Sequence, residues 1–418
     1  MLIEFSVANF RSFRERQTLS MVAAARLPKR ENVLAPLVSD EELPDLLKVA
    51  AIYGPNASGK SNLLRALDVI PTLASSSPAV VKTLPVAPFR FDKDLLSSPS
   101  EFEVHFICDA VRYQFELSLT SERIVKERLI SYPNGKSKLL YERRFTDKEG
   151  DEYRFGDTLE GGSELHQAWR RLTAPTSLFI AQAVANSNED LHQLRVPFGW
   201  LLNGMFVIEG GMASLARSSQ RLVKKNPNYA AEVASFLQEV DVPVTEMRVD
   251  SVQEKPSPLS ALAMLASPSA SQKEVNRTIF KHRTALGEAE FDFEEESEGT
   301  KGLVGFWLPW SMIAHGESTI KAVAVDEIDS SLHPEIVASL IQRYLASDKS
   351  AQLIFTTHDT HLMDTKLLRR DQFWLTERDA NGATQLRSIH DFKGRESEDV
   401  EKRYFEGKYR GLPILSRG

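Results

Sequence analysis

Residues Gly54-Pro55-Asn56-Ala57-Ser58-Gly59-Lys60-Ser61-Asn62 set two glycines around four residues and follow the second with a Lys–Ser pair. That spacing suits the cradling of phosphate. Glycines let the backbone turn tightly, so that its N–H groups converge on an anion. Lys60 would reach the β- and γ-phosphates of ATP, and the Ser61 hydroxyl would bind Mg²⁺. The plainer alternative is a Gly/Ser-rich turn that matches by chance.

Two further groups could complete that chemistry. Asp326-Glu327 follows four apolar residues. A carboxylate at the end of a buried strand can hold Mg²⁺, and a neighbouring Glu can orient the attacking water and accept its proton. An acidic helix cap is the alternative there. His358 ends the run Leu353-Ile354-Phe355-Thr356-Thr357, where an imidazole could touch the γ-phosphate and steady the water. A lone histidine is more often structural. His361, three residues on, could share a helical face with His358 and bind metal, but no third ligand is evident.

These residues need elements to place them. Val49–Tyr53 is a short apolar run and reads as a buried strand, while Asn62–Leu67 has helical apolar spacing. The glycine loop therefore joins a strand to a helix, the context phosphate binding requires. Ala322–Val325 and Leu353–Phe355 read as two more buried strands. Strand–loop–helix, strand–Asp–Glu and strand–His then follow in the order that ATP hydrolysis needs.

With these motifs in place the chain resembles an ABC-type AAA family ATPase of the RecF/SMC/OLD group. The opening Ile3–Phe13 stretch, with Arg11, is similar to that group's first strand and its N-F-[RK]-S-F turn. GPNASGKSN is similar to its P-loop, VDEIDSSLHP to its Walker B and D-loop, and TTHDTHLMD to its switch-histidine segment. The likeness covers about residues 1–120 and 285–390. It implies an α/β fold: a P-loop ATPase head with a mixed sheet and an antiparallel β lobe, plus a mainly helical insertion. It also implies a head-to-head homodimer with two ATP molecules in the interface. Arg11 and the loop residues would bind nucleotide in one subunit. Ser297 and Gly299, in Ser297-Glu298-Gly299-Thr300, would be the signature segment given to the other subunit's ATP. An ordinary helix N-cap at Ser297 is compatible with that role. The family's Gln between P-loop and signature is missing, since Asn62–Tyr113 holds no Gln; Pro85–Asp92 stands near its place. Resemblance to RloA-, AbiL- and PtuA-type proteins implies anti-phage defence beside a separate nuclease or toxin. RecF-like DNA repair, a slow nucleotide-stabilised scaffold, and a nuclease hidden in the insertion are the rival readings.

The rest of the chain divides by pattern into 1–160, 161–285 and 286–418. Residues 100–120 alternate apolar and polar, and 128–145 flank Asn134-Gly135, so both read as antiparallel strands. Residues 161–285 read as mainly helical, without lasting heptads, and 254–272 as a Pro/Ser/Ala-rich connector. No acid separates Glu209 from Glu232, and Arg217, Arg221, Lys224 and Lys225 fall in that gap. A nucleic-acid or partner patch is one reading, a solvated helix face the plainer one. Residues 372–389 predict a hairpin around Asp379–Gly382, and the charged tail after it predicts a packed helix or a partner surface. The acidic run 287–299 reads as a lead into the signature. The 418 residues carry net charge −7 and one cysteine, Cys108. Multi-cysteine zinc sites and internal disulfides are excluded, and a reducing cytoplasm fits. No apolar run reaches membrane-spanning length, and the N-terminus lacks a secretion-signal pattern. No Toprim-sized segment, H-N-H pattern or Ser/His/Asp set is present.

Overall fold

Five successive apolar residues with no polar alternation must be covered on both faces. In the computed structural model they form β5 (Val49–Tyr53), every residue of which is buried. The structure describes residues 1–76, 83–210, 212–253, 274–314, 319–330, 332–394 and 398–409. β5 lies between β16 (Gln352–Thr356) and β17 (Phe373–Arg378) and runs parallel to both. Beyond β16 come β15 (Ala322–Val325) and the edge strand β11 (Met205–Ile208), also parallel. β18 (Thr384–Ser388) returns antiparallel to β17, closing a six-stranded mixed sheet in the order β11-β15-β16-β5-β17-β18. Helix α1 (Lys60–Ser75) follows the glycine loop and buries Leu63, Leu64, Leu67, Ile70 and Leu73.

The alternating stretches form the second sheet. β1 (Leu2–Ala8), β2 (Gln17–Ser20), β6 (Ser100–Cys108), β7 (Val111–Leu119), β8 (Ile124–Tyr132), β9 (Lys138–Thr146) and β10 (Gly150–Phe155) pair antiparallel in the order β10-β9-β8-β7-β6-β1-β2. The turn between β8 and β9 puts Asn134 and Gly135 at φ 55° and 71°, the left-handed backbone that this residue pair tolerates. β10, which pairs with β9, lies beyond the strands read from the sequence. A two-stranded pairing of β3 (Val33–Leu34) with β4 (Leu46–Leu47) completes the strands of this part.

One buried amide ties the two sheets. Gln352 on β16 is fully buried. Its Oε1 accepts from the Leu2 N–H at 2.6 Å, and its Nε2 donates to the carbonyls of Leu2 at 2.9 Å and Leu47 at 3.2 Å. The result is the expected head architecture: a mixed sheet carrying the glycine loop beside an antiparallel β lobe.

The chain forms two compact units. One comprises Met1–Glu209, Ile313–Asp329 and Val337–Gly418; the other comprises Gly210–Met312 and Ser330–Ile336. This division differs from the sequence-drawn segments. Helices α2 (Gly162–Leu172), α3 (Phe179–Ala185) and α4 (Arg195–Asn203), with β11, belong to the first unit rather than to an insertion. In the second unit α5 (Ala213–Lys225) and α6 (Asn228–Glu239) pack on β12 (Val244–Gln253), which pairs with β13 (Glu274–Thr284) and then β14 (Gly287–Asp292). Among the described residues, the mainly helical expectation for 161–285 therefore fails at 244–253 and 274–284. These strands alternate in charge as much as in apolarity. Arg248 pairs with Glu290 at 2.7 Å, Arg277 with Asp292 at 2.6 Å and Lys281 with Glu288 at 2.5 Å. The acidic run beginning at Gly287 supplies these cross-strand partners. The connector read at 254–272 lies outside the described residues. The remaining helices are α7 (Glu298–Ala314), α8 (Pro334–Leu345) and, in the tail, α9 (Val400–Phe405).

Gln352→Leu keeps the volume and strands three buried backbone groups. It should destabilise the chain by about 2–4 kcal/mol, read as a lowered midpoint in urea denaturation followed by far-UV circular dichroism.

Candidate active site

Because β5, β15 and β16 are parallel neighbours, their C-terminal ends reach one edge of the sheet. Val325 is level with Phe355, and Thr356 with Ile52. The next residues, Gly54, Asp326 and Thr357-His358, therefore emerge together, where open α/β sheets place their sites.

The loop from Gly54 to Gly59 has φ of 150° at Gly54, 61° at Ala57 and 109° at Gly59. Gly59 precedes the first turn of α1, so that helix's unpaired N–H groups open into the loop. Asn56 and Ala57 are exposed at its crest, whereas Ser58 and Lys60 are buried and Ser61 is half-buried. The Lys60 ammonium lies across the loop, donating to the Gly54 carbonyl at 2.8 Å and the Pro55 carbonyl at 3.3 Å. Burial pushes its pKa down, while Asp326, Glu327 and Asp329 act in the opposite direction. Lysine and carboxylates thus stand within electrostatic reach of one another.

Thr356, the last residue of β16, organises the carboxylates. Its buried hydroxyl donates to Asp326 Oδ1 at 2.6 Å and accepts the Glu327 N–H at 2.8 Å. Asp326 is buried and Glu327 is exposed. Glu327 has φ 51°, a left-handed backbone uncommon for a residue other than glycine, asparagine or aspartate. The neighbouring Ile328 N–H donates to the Thr356 carbonyl at 3.0 Å, so both sides of the strained residue are held. His358 is exposed. Although its surface is open, partial desolvation by the surrounding protein and then the Lys60 charge lower its pKa below the ordinary 6.5, against the pull of Asp329, Glu327 and Asp326. Its imidazole is accordingly neutral at neutral pH. His361 does not join it in a metal pair; His361 Nδ1 meets Asp359 Oδ1 at 2.9 Å instead.

Hydroxyls behind the loop were missed in the sequence. Thr376 Oγ1 lies 2.5 Å from Ser58 Oγ and donates to the Tyr53 carbonyl at 3.2 Å. Thr384 Oγ1 lies 2.8 Å from the Ser58 carbonyl and 2.8 Å from Ser12 Oγ, which accepts from Asn62 Nδ2 at 2.8 Å. Only the hairpin signal at 379–382 pointed there, and it carries no hint of contact with the loop.

Arg11, also left-handed at φ 52°, lines a recess of about 150 Å³ with Phe10, Arg65, Asp68, Thr72 and Glu209. Burial and the Arg65 charge lower its pKa. The segment near the missing Gln is built onto this turn: the Phe89 N–H donates to Asn9 Oδ1 at 2.9 Å, and the Arg11 N–H to the Ala87 carbonyl at 2.7 Å. Ser297 and Gly299 lie in the second unit, at the start of α7. Ser297 Oγ accepts the Thr300 N–H at 3.1 Å, the cap the sequence allowed. In the same unit Arg217, Arg221, Lys224 and Lys225 are exposed on α5, opposite buried Ala216, Ser219 and Val223.

The chain matches the protein family described as "AAA domain, putative AbiEii toxin, Type IV TA system" over residues 49–364. It therefore belongs to that family. No curated protein sequence matches it. Among solved structures it is similar to an SMC head bound to the C-winged helix domain of ScpA, at 14% identity over 97% of this chain and 99% of that one, TM-score 0.43. It is similar also to the SMC head domain from Thermotoga maritima, at 15% identity over 93% and 98%, TM-score 0.40. A third is the Smc head domain with an extended coiled coil bound to the C-terminal domain of ScpA derived from Pyrococcus furiosus, at 12% identity over 93% and 97%, TM-score 0.41. These likenesses are distant, and the residue roles stand on this chain's own geometry.

A strained left-handed Glu327 is expected to cost stability. Glu327→Gly should raise stability by up to about 1 kcal/mol, while Glu327→Ala, with the same Cβ strain, should not; parallel denaturation curves check this.

Proposed function

We propose that this chain binds ATP with Mg²⁺ and hydrolyses it to ADP and phosphate, acting as a dimeric switch for a separate effector. One observation carries the reading: the Thr356-bridged pair Asp326-Glu327 stands at the same sheet edge as Lys60 and the glycine loop. The donor set fits the group. Lys60 and the α1 N-terminus offer positive charge to phosphates. The Ser61 hydroxyl and the Asp326 carboxylate are hard oxygen ligands of the kind Mg²⁺ takes. When bound, Mg²⁺ would neutralise charge building on the β- and γ-phosphates.

The protein's own residues supply the rest. Lys60 would exchange its Gly54 and Pro55 carbonyls for phosphate oxygens. Glu327, exposed and fixed by its N–H, would take the proton from the attacking water. His358, neutral, would hold that water or the γ-phosphate by hydrogen bond. Arg11 would lie beside the nucleotide. Ser297 and Gly299 would serve the ATP of a second copy, so that ATP closes a homodimer and hydrolysis opens it.

The regulatory part of the proposal draws on the family description, which names a putative toxin of a type IV toxin–antitoxin system. Among the described residues no group of three or more His, Cys, Asp or Glu side chains is placed to hold a metal ion. The chain then acts as a switch in anti-phage defence, with a separate nuclease or toxin as its effector. No helix among the described residues is long and apolar enough to cross a membrane.

Lys60→Ala should abolish ATP binding in equilibrium dialysis; retained affinity would remove the loop from the site. Glu327→Gln should keep binding, lower kcat by at least about a hundredfold, and accumulate dimer in ATP by light scattering. Captured from its native host with ATP, that variant should bring down a stoichiometric protein effector. If nucleic acid alone came down, the DNA-repair reading would replace the effector reading, with the exposed cationic face of α5 as its first suspect surface.

The lowered His358 pKa sets a pH expectation. The catalytically useful form is the neutral imidazole, so the acid limb of kcat should be centred below the ordinary imidazole value of 6.5. An acid limb centred above 6.5 would take His358 out of this role.

A further inference from the structure

The hairpin of β17 and β18 presses directly on the back of the glycine loop. A Cβ at Gly59 would lie 2.1 Å from Thr384 Oγ1, and one at Gly54 would lie 2.4 Å from both Oγ1 and the carbonyl oxygen of Thr376. The glycines are therefore required by the hairpin as well as by their φ values. Both threonines are fully buried, and their hydroxyls end on loop groups.

The proton count fixes the direction of these bonds. Thr384 has one hydroxyl proton and two oxygen neighbours. The Ser58 carbonyl can only accept, so Thr384 donates to it and accepts from Ser12, which accepts from Asn62 Nδ2. A chain thus runs Asn62, Ser12, Thr384, Ser58. On the other side Ser58 donates to Thr376, and Thr376 donates to the Tyr53 carbonyl.

These carbonyls matter because of what shares their peptide planes. In a trans peptide the C=O and the following N–H point in opposite directions. Holding the Ser58 carbonyl from behind aims the Gly59 N–H toward the front of the loop. The Tyr53 carbonyl, held by Thr376, anchors the strand end from which the loop departs.

We propose that Thr384 and Thr376 are positioning residues for phosphate binding: Thr384 fixes from behind the peptide plane whose Gly59 N–H faces the nucleotide, and Thr376 holds the start of the loop through Tyr53 and Ser58. This rests on the ATP reading of the loop. Through Ser12 and Asn62, Thr384 also ties the N-terminal turn to the first turn of α1. The loop's shape thus depends on two segments distant from it in sequence, the turn at Ser12 and the β17–β18 hairpin.

The test uses the full chain and a fluorescent N-methylanthraniloyl ATP as probe. Thr384→Val keeps the shape and removes the hydroxyl, leaving the buried Ser58 carbonyl without its donor. It should weaken probe binding about tenfold and raise KM for ATP with kcat nearly unchanged. Thr384→Ser, which restores the hydroxyl, should recover most of the affinity. A merely structural role would lower the folded fraction without splitting KM from kcat. Unchanged affinity in Thr384→Val would overturn the proposal while leaving ATP binding intact. If the wild-type chain itself failed to bind the probe, the ATP reading would fall and this one with it. Should Thr384→Val not fold, Thr376→Val, measured in the same way, decides the matter.

Discussion

The site depends on the pairing of β16 with a parallel strand on each side. β16 is hydrogen-bonded to β15 on one side and to β5 on the other. Were it absent, the strand ending in Asp326 and the strand ending in the glycine loop would lie side by side. Inserted, it brings its own last residue, Thr356, between the carboxylates and the loop. That residue needs both a branched side chain suited to a buried strand and a hydroxyl that donates once and accepts once. Threonine meets both demands. Valine meets the first only, and serine fits the buried strand less well.

Around this frame the charges are balanced rather than neutralised in pairs. Lys60 does not form a close ion pair with Asp326 or Glu327; its ammonium donates to loop carbonyls. The carboxylates offset part of its desolvation from a distance. A tight pair would lock the lysine away from phosphate, since a second partner would first have to break it. Strain serves the same end. The left-handed Glu327 is bracketed by bonds from its own N–H and from Ile328 to Thr356. Its side chain is thereby turned to the exposed rim while its neighbour Asp326 stays buried.

The sequence exposed those parts of the fold whose physics is local. The run Val49–Tyr53, the Gly54–Ser61 spacing and the turns at Asn134-Gly135 and Asp379–Gly382 each specify their own backbone, and the structure shows a strand, a loop and two hairpins there. The bringing together of Lys60, Asp326, Glu327 and His358 was legible because short apolar strands ending in polar groups point to one sheet edge. Contacts between distant segments left no such trace. Nothing in Thr384, Thr376 or Ser12 marks them as neighbours of the loop, because a single hydroxyl has no periodicity. β12, β13 and β14 were obscured for another reason. Their alternation runs through Arg248, Arg277, Lys281, Glu288, Glu290 and Asp292, where ion pairs stand in for apolar contacts. A reading keyed to apolar spacing misses strands of that kind.

Buried polar side chains carry much of what makes this arrangement unique. Gln352 joins the two sheets through Leu2 and Leu47. Gln372 accepts from the Arg369 N–H and from Asn32, and donates to the Val49 carbonyl, fixing the approach to β17. Glu127, fully buried, accepts the N–H groups of Phe179 and Ile180 and the hydroxyl of Tyr141 at the start of α3. Burial raises its pKa, with Arg143 and these donors opposing. An apolar residue at any of these positions could fill the space, but it could not choose a register. In strands that are apolar on both faces a slide by one residue still leaves apolar groups on each face, whereas a three-bond amide that meets Leu2 and Leu47 does not tolerate it. The phosphate loop inherits that constraint, because β5 receives its register from β16 and β16 is pinned by Gln352.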